Sequence, residues 1–289
     1  MIRRLCVIGV GLIGGSLARA LRVVGAVETI VGCGRGEKNL ARARELNVID
    51  EYMLDPADAV EGADIVVVAA VLGATPGIFE KIASGIGSKT VVTDVGSAKR
   101  CVVDAARRSF GGKFSQFVPG HPIAGTEKSG VEASFPELFR DHRVILTPVT
   151  ETDPRALGRV TEMWQLTGAT VTEMDVGHHD EVLAATSHLP HMLAYALVDC
   201  LASMEGENEN FAYAAGGFRD FTRIASSSPA MWCDIAMANR DALLLMLDRF
   251  TATYEQLRTA LESNNKDVLF EMFSRAKTAR DRAGLPVTK

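Results

Sequence analysis

Residues 5–10 form a short apolar run that passes directly into Gly9-Val10-Gly11-Leu12-Ile13-Gly14. Glycines at this spacing permit a tight turn, close approach of a ligand to the backbone, and close packing of the following helix on the strand before it. The helix then begins with unpartnered amides and the positive end of its dipole, which suits a pyrophosphate. Alone such a loop is weak evidence, but its context is not. Residues 29–32, 65–69, 90–93, 116–118 and 143–146 read as buried strands of the parallel type. Helical patterns at 13–24, 37–46, 76–84 and 98–109 separate them, and a further helix and strand follow at 154–166 and 169–173. Strands alternating with helices specify a doubly wound parallel sheet. The expectation is a Rossmann-type dinucleotide-binding domain over 1–174, with Gly9, Gly11, Leu12, Ile13 and Gly14 on the cofactor.

Beyond residue 175 the strand signals stop. Residues 176–206, 211–226, 229–263 and 266–283 are rich in Ala, Leu, Met and Glu, which favour helix. Leu243, Leu244, Leu247, Phe250, Tyr254, Leu257 and Leu261 recur at helical spacing. A single element over 229–263 is too long for a small domain to bury unaided, so 175–289 is expected to be an all-α domain through which the chain forms a homodimer.

Bulk properties narrow the function. A net charge of −5 argues against a nucleic-acid binder, which needs a basic face. No apolar stretch is long enough to span a bilayer, and the run at the start is cut by glycines after a strand's length, so it does not read as a signal peptide. Five scattered cysteines with no Cys-x-x-Cys pair fit reduced thiols and a cytoplasmic protein.

The end of the second strand bears on cofactor choice. An NAD enzyme usually places Asp or Glu there to accept from the ribose 2′-hydroxyl. Here Cys33 and Gly34 occupy that place and Arg35 follows. With no carboxylate to repel a 2′-phosphate and a guanidinium to bind it, NADP is favoured. Glu37 leaves NAD open.

Candidate chemistry lies where strands end. Thr93-Asp94-Val95-Gly96-Ser97-Ala98-Lys99 follows one strand, and Gly120-His121-Pro122-Ile123-Ala124-Gly125-Thr126-Glu127 follows the next. His121 sits between Gly and Pro with an imidazole suited to accept a hydroxyl proton during hydride transfer, although one loop histidine can equally be structural. The helical half adds Ser187-His188-Leu189-Pro190-His191, whose histidines share a helix face, and Gly216-Gly217-Phe218-Arg219-Asp220-Phe221-Thr222-Arg223. Arginines among glycines and aromatics suit carboxylate recognition. A metal on His179, His188 and His191 is disfavoured, because the expected helical ligand spacing is absent.

Together these motifs resemble the prephenate/arogenate dehydrogenase family of tyrosine biosynthesis, in one consistent order over nearly the whole chain. The resemblance implies oxidative decarboxylation of a cyclohexadienyl acid. It makes His121 the base on the C4 hydroxyl and Ser97 its hydrogen-bonding partner. Arg223 would bind a substrate carboxylate, oriented by Asp220, with Arg219 as the alternative. His188 and His191 would lie on the substrate side, Glu127 at the entrance, and Asp94 on the cofactor side. Glu127 and Glu132 are the candidates for an arogenate ammonium. A β-hydroxyacid-type dehydrogenase or imine reductase also joins such domains, but the helical lysine used by hydroxyacid enzymes is missing from 180–225. A non-catalytic NADP-sensing dimer would have no use for both His121 and Arg223.

Overall fold

The computed structural model describes residues 1–126, 128–204 and 207–284. Its first part alternates β1 (Ile2–Ile8), α1 (Leu12–Val23), β2 (Val27–Cys33), α2 (Glu37–Glu45), β3 (Glu51–Met53), α3 (Pro56–Ala59), β4 (Ile65–Val68), α4 (Thr75–Ile82), β5 (Val91–Asp94), α5 (Arg100–Phe110) and β6 (Phe117–Val118). All six strands are parallel, in the order β3-β2-β1-β4-β5-β6. This is the expected doubly wound sheet.

Both faces of the sheet are covered, which explains the continuous apolar strands. Leu5 and Val7 join one core with Leu17, Leu21, Phe139 and Trp164, while Cys6 and Ile8 join the other with Phe79, Phe110 and Phe117. Alternate residues of a strand point to opposite faces, so β1 feeds both layers at once.

A second sheet was not legible in the sequence. β7 (Gly120–Ile123) pairs antiparallel with β8 (Arg143–Leu146), which pairs parallel with β9 (Thr170–Glu173); α6 (Pro154–Gln165) connects the last two. The expectation that 143–146 continues the parallel sheet is therefore corrected. Pro119 lies between β6 and β7 and has no N–H for a ladder, so the chain leaves the first sheet there. The Pro119 carbonyl instead accepts from Thr147 N at 3.0 Å.

The helical part begins with α7 (Val176–Leu183), a π turn (Ala184–His188) and α8 (Leu189–Ala202) in unbroken succession. Pro190 accounts for the π turn: it lacks an N–H, and its ring would clash with the carbonyl four residues back in a regular helix. α9 (Glu207–Ala212), α10 (Gly216–Thr222), a 3-10 turn (Arg223–Ser226) and α11 (Pro229–Ala238) follow. The single long element expected over 229–263 is instead two helices. Asn239, at φ −113° and ψ 31°, ends α11, and α12 (Arg240–Glu262) begins after it.

The chain divides into two compact units, Met1–Arg240 and Asp241–Lys289. The second comprises most of α12 together with α13 (Lys266–Arg282), and it exposes Leu244, Phe250, Tyr254, Phe270 and Phe273. Among the described residues no helix is long and apolar enough to cross a membrane.

The glycine loop tolerates no side chain at its first position. Gly9 has φ +102°, and a Cβ there would lie 2.4 Å from the Ala69 carbonyl oxygen. Gly9→Ala is expected to cost about 3 kcal/mol through left-handed strain plus that backbone clash. Thermal melting checks this; a Tm within a degree of the parent would refute the close approach of β1 and β4 at the loop.

Candidate active site

Two features lie at the carboxyl ends of the strands. The first is a cavity of about 650 Å³ walled by Gly9, Val10, Gly11, Cys33, Gly34, Arg35, Asn39, Ala69, Val71 and Lys81, among others. Among the described residues nothing lies within 4 Å of a Cβ built on Gly11, so the backbone there is open to a ligand. No side chain caps α1, which leaves its first amides available. A Cβ on Gly14 would lie 2.2 Å from the Gly9 carbonyl oxygen, so this third glycine serves helix–strand packing. Leu12, Ile13 and Gly14 form the first turn of α1 rather than the cavity wall. Asn39 donates to the Val10 carbonyl at 2.8 Å and anchors the loop, a contact that sequence reasoning did not find.

These features fit a dinucleotide: open glycine backbone, uncapped helix amides and a wall of mixed polar and apolar residues. At the β2 end the Cys33 thiol is pushed up to about 11, first by burial and then by nearby Asp55, so it is neutral. Among the described residues the wall carries two cations, Arg35 and Lys81, and no carboxylate.

The second feature is a buried polar network. Lys99 is fully buried, and its ammonium donates to Asp94 Oδ2 at 2.5 Å and to the Gly120 carbonyl at 2.6 Å. Asp94 also accepts from Gly96 N at 2.7 Å and Gly120 N at 3.2 Å. Its carboxylate is thus occupied by protein groups and does not line the cavity, contrary to the expected cofactor contact. Lys99 and Asp94 together fix the backbone on which His121 stands.

His121, at the start of β7, is buried, with its Nδ1 2.9 Å from His179 Nε2 on α7. His179 Nδ1 lies 2.8 Å from Asp180 Oδ1. Asp180 accepts from Lys99 N at 2.8 Å and Arg100 N at 2.9 Å, at the start of α5. Burial opposes ionisation of Asp180, but hydrogen bonds from His179, Arg100 and Lys99 more than offset it and hold the carboxyl below its ordinary value. Asn239 donates to the Asp180 carbonyl at 2.8 Å and lies 3.1 Å from His188 Nδ1. The break between α11 and α12 is therefore the point where an amide side chain enters this network.

His188 is fully buried, and burial drives its pKa down to about 4. Among the described residues the buried Nε1 of Trp232, whose ring lies edge-on to His188, has no hydrogen-bond partner. The Ser97 backbone is the one backbone group that favours the charged form of His188, which brings half-buried Ser97 to the same cluster. His191 stacks on Trp232 with ring centroids 3.6 Å apart and hydrogen-bonds through Nδ1 to the Ser187 carbonyl. His121, Ser97, His188 and His191 thus share one region. Lys99, His179, Asp180, Trp232 and Asn239 join them without having been expected as site residues. Lys99 stood within a quoted motif and His179 was weighed only as a metal ligand.

The arginine segment is placed differently. Arg219 and Asp220 are exposed on α10, and Arg223 opens the 3-10 turn. Tyr195 Oη on α8 holds that turn by donating to the Ser227 carbonyl at 2.7 Å. The hydrogen bonds that join His121, His179, Asp180, Asn239 and His188 do not involve the arginines. Glu127 lies outside the described residues. Glu132 is exposed and pairs with Arg42 at 3.0 Å.

Comparison with known proteins gives a consistent match. Residues 17–173 match the family description "Prephenate dehydrogenase, nucleotide-binding domain", and 175–275 match "Prephenate dehydrogenase, dimerization domain". A cyclohexadienyl dehydrogenase of Zymomonas mobilis is 38% identical over 96% of this chain and 95% of its own length. A prephenate dehydrogenase of Bacillus subtilis is 39% identical over 96% of this chain and 75% of its own. The crystal structure of A. aeolicus prephenate dehydrogenase in complex with hydroxyphenyl propionate and NAD+ superimposes with a TM-score of 0.91 at 35% identity, covering 98% of this chain and 99% of that one.

Burial, followed by His179, Lys99 and His188, drives the His121 pKa well below 6.5. A lowered imidazole pKa means the neutral form is present above it and is lost only as pH falls through it. His121 is therefore expected to stay neutral across about pH 6 to 8, where an unperturbed imidazole titrates. An NMR titration of its ring resonances checks this; an inflection inside that window would show a solvated, ordinary histidine.

Proposed function

The chain belongs to the prephenate dehydrogenase family, and on that footing we propose that it oxidatively decarboxylates a cyclohexadienyl acid, prephenate or arogenate. The observation that carries this reading is His121: a buried imidazole at the carboxyl end of the parallel sheet, 2.9 Å from His179 through Nδ1, whose pKa burial holds below its ordinary value. A neutral imidazole accepts a proton, and the C4 hydroxyl of the substrate is the group that must lose one. When bound, a nicotinamide cofactor supplies the acceptor for the hydride that leaves C4. Loss of carbon dioxide then gives an aromatic ring, and that aromatisation drives the reaction.

The chain's own residues divide the remaining work. Ser97 hydrogen-bonds at the reacting hydroxyl. His188 lies on the substrate side, and the buried Nε1 of Trp232, which has no partner among the described residues, carries a cost of about 1–3 kcal/mol that a substrate oxygen relieves. His191 faces the same side, stacked on Trp232. Arg223 binds a substrate carboxylate with Asp220 orienting it, and Arg219 is its alternate. Residues 1–174 bind the dinucleotide and 175–289 complete the site. The second part forms the homodimer, a reading supported by the dimerization-domain match and the exposed apolar residues of α12 and α13. The cytoplasm suits its five unpaired thiols.

Turnover of both substrates by the purified protein tests the reading. His121→Asn is expected to lower kcat by about 10²-fold or more, as removal of a general base does, with cofactor affinity little changed. Wild-type kcat in that variant would remove His121 from the mechanism.

Cofactor choice follows from the wall at the β2 end. Arg35 and Lys81 would hold a 2′-phosphate, and neutral Cys33 does not repel one. kcat/KM is expected to be higher with NADP than with NAD. Arg35→Ala should weaken NADP selectively, and Cys33→Asp should move preference toward NAD. Preference for NAD in the wild type, with Arg35→Ala affecting both cofactors equally, would make Arg35 an ordinary solvated side chain.

A further inference from the structure

We propose that His179 and Asp180 are positioning residues that fix the ring tautomer of His121, so that Nε2 is its proton-accepting atom. This inference rests on His121 being the base, as proposed above, and adds which atom acts and what selects it.

The argument starts from Asp180. Its carboxylate receives the backbone N–H groups of Lys99 and Arg100 at 2.8 and 2.9 Å, and it faces His179 Nδ1 at 2.8 Å. An ionised carboxylate only accepts, so His179 Nδ1 must carry a hydrogen. With Nδ1 carrying its one ring hydrogen, an uncharged imidazole at His179 has its lone pair on Nε2. That atom lies 2.9 Å from His121 Nδ1, so His121 Nδ1 must be the donor. One nitrogen of neutral His121 remains, and it is the unprotonated Nε2. Reversing the assignment would place the hydrogen on His121 Nε2 and leave the imidazole unable to accept there.

Geometry makes the selection rigid. His179 is fully buried and Asp180 nearly so, and both stand in the first turns of α7, whose start is capped by Asp175. Asn239 clamps the Asp180 carbonyl from the end of α11. When His121 Nε2 takes the hydroxyl proton, the imidazolium keeps its Nδ1–H bond to His179. The same logic orients the imidazole of a Ser-His-Asp triad, here with a second histidine inserted between base and carboxylate.

The test begins with the wild-type protein free of substrate. Its ¹⁵N-edited NMR spectrum is expected to show His121 with a protonated Nδ1 and a bare Nε2; the opposite tautomer would overturn the proposal without any measurement of turnover. Kinetics supply the second arm. Asp180→Asn allows the side-chain amide to donate to His179 Nδ1 and reverse the chain. It is expected to lower kcat by about 10²-fold, within the range seen when the orienting partner of a functional imidazole is removed, with KM little changed. His179→Leu should lose as much. His179→Gln, whose carbonyl can still accept from His121 Nδ1, should recover to within about tenfold of the parent. Equal losses in the Leu and Gln variants, at matched Tm, would mean that His179 only fills space. If His121→Asn itself kept full turnover, the function proposed for His121 would fail, whatever the tautomer.

Discussion

The buried Lys99–Asp94 pair is the contact on which the histidine cluster depends. With both side chains out of solvent, removing either charge would leave the other unpaired at a cost of about 3–5 kcal/mol. The pair is retained because each partner has further work. Lys99 also donates to the Gly120 carbonyl, and Asp94 accepts from Gly96 and Gly120. The end of β5 is thereby joined to the start of β7, across the place where Pro119 takes the chain out of the first sheet. His121 is the next residue along. Its position is set by electrostatics in a dry interior, where such bonds are strong and poorly screened.

The same ammonium has a second consequence. A cation near a buried imidazole opposes its protonation, and Lys99 adds to burial and to His179 in keeping His121 neutral. The network thus holds the ring and sets its charge state together. The Lys99 and Arg100 amides extend the arrangement by binding Asp180, so one stretch of backbone at the head of α5 serves both carboxylates.

Parts of this were legible in the sequence because they are local. The glycine loop, the continuous apolar strands and the switch to helical composition after residue 175 all declare themselves within windows of ten or twenty residues. β3 escaped because Glu51-Tyr52-Met53 offers no β-branched apolar run, and β7 because it contains a proline that ordinarily argues against a strand. Its ladder partner lies more than twenty residues away. The cluster around His121 was half legible for the same reason. His121 itself is marked by its glycine and proline neighbours, but His179 and Asp180 act through a contact that spans 58 residues. Asn239 sits inside a strong helical pattern, and only its buried amide contacts explain why the helix breaks there.

α11 ties the two halves of the site together within the first unit. Trp232 stacks on His191, while Asp234, two residues on and so on another side of the helix, accepts from Gly73 N at 3.2 Å. Gly73 belongs to the turn after β4, whose neighbours Val71 and Ala74 wall the nucleotide cavity. A side chain at Gly73 would meet the Asp234 carboxylate at 2.6 Å, so the glycine is what allows the helix to approach. A single helix therefore contacts the histidine region on one side and the cavity wall on the other. Packed interiors transmit displacement rather than absorbing it, so the cavity and the histidines are held in one frame. That constraint matches a reaction in which a proton and a hydride must leave the same carbinol.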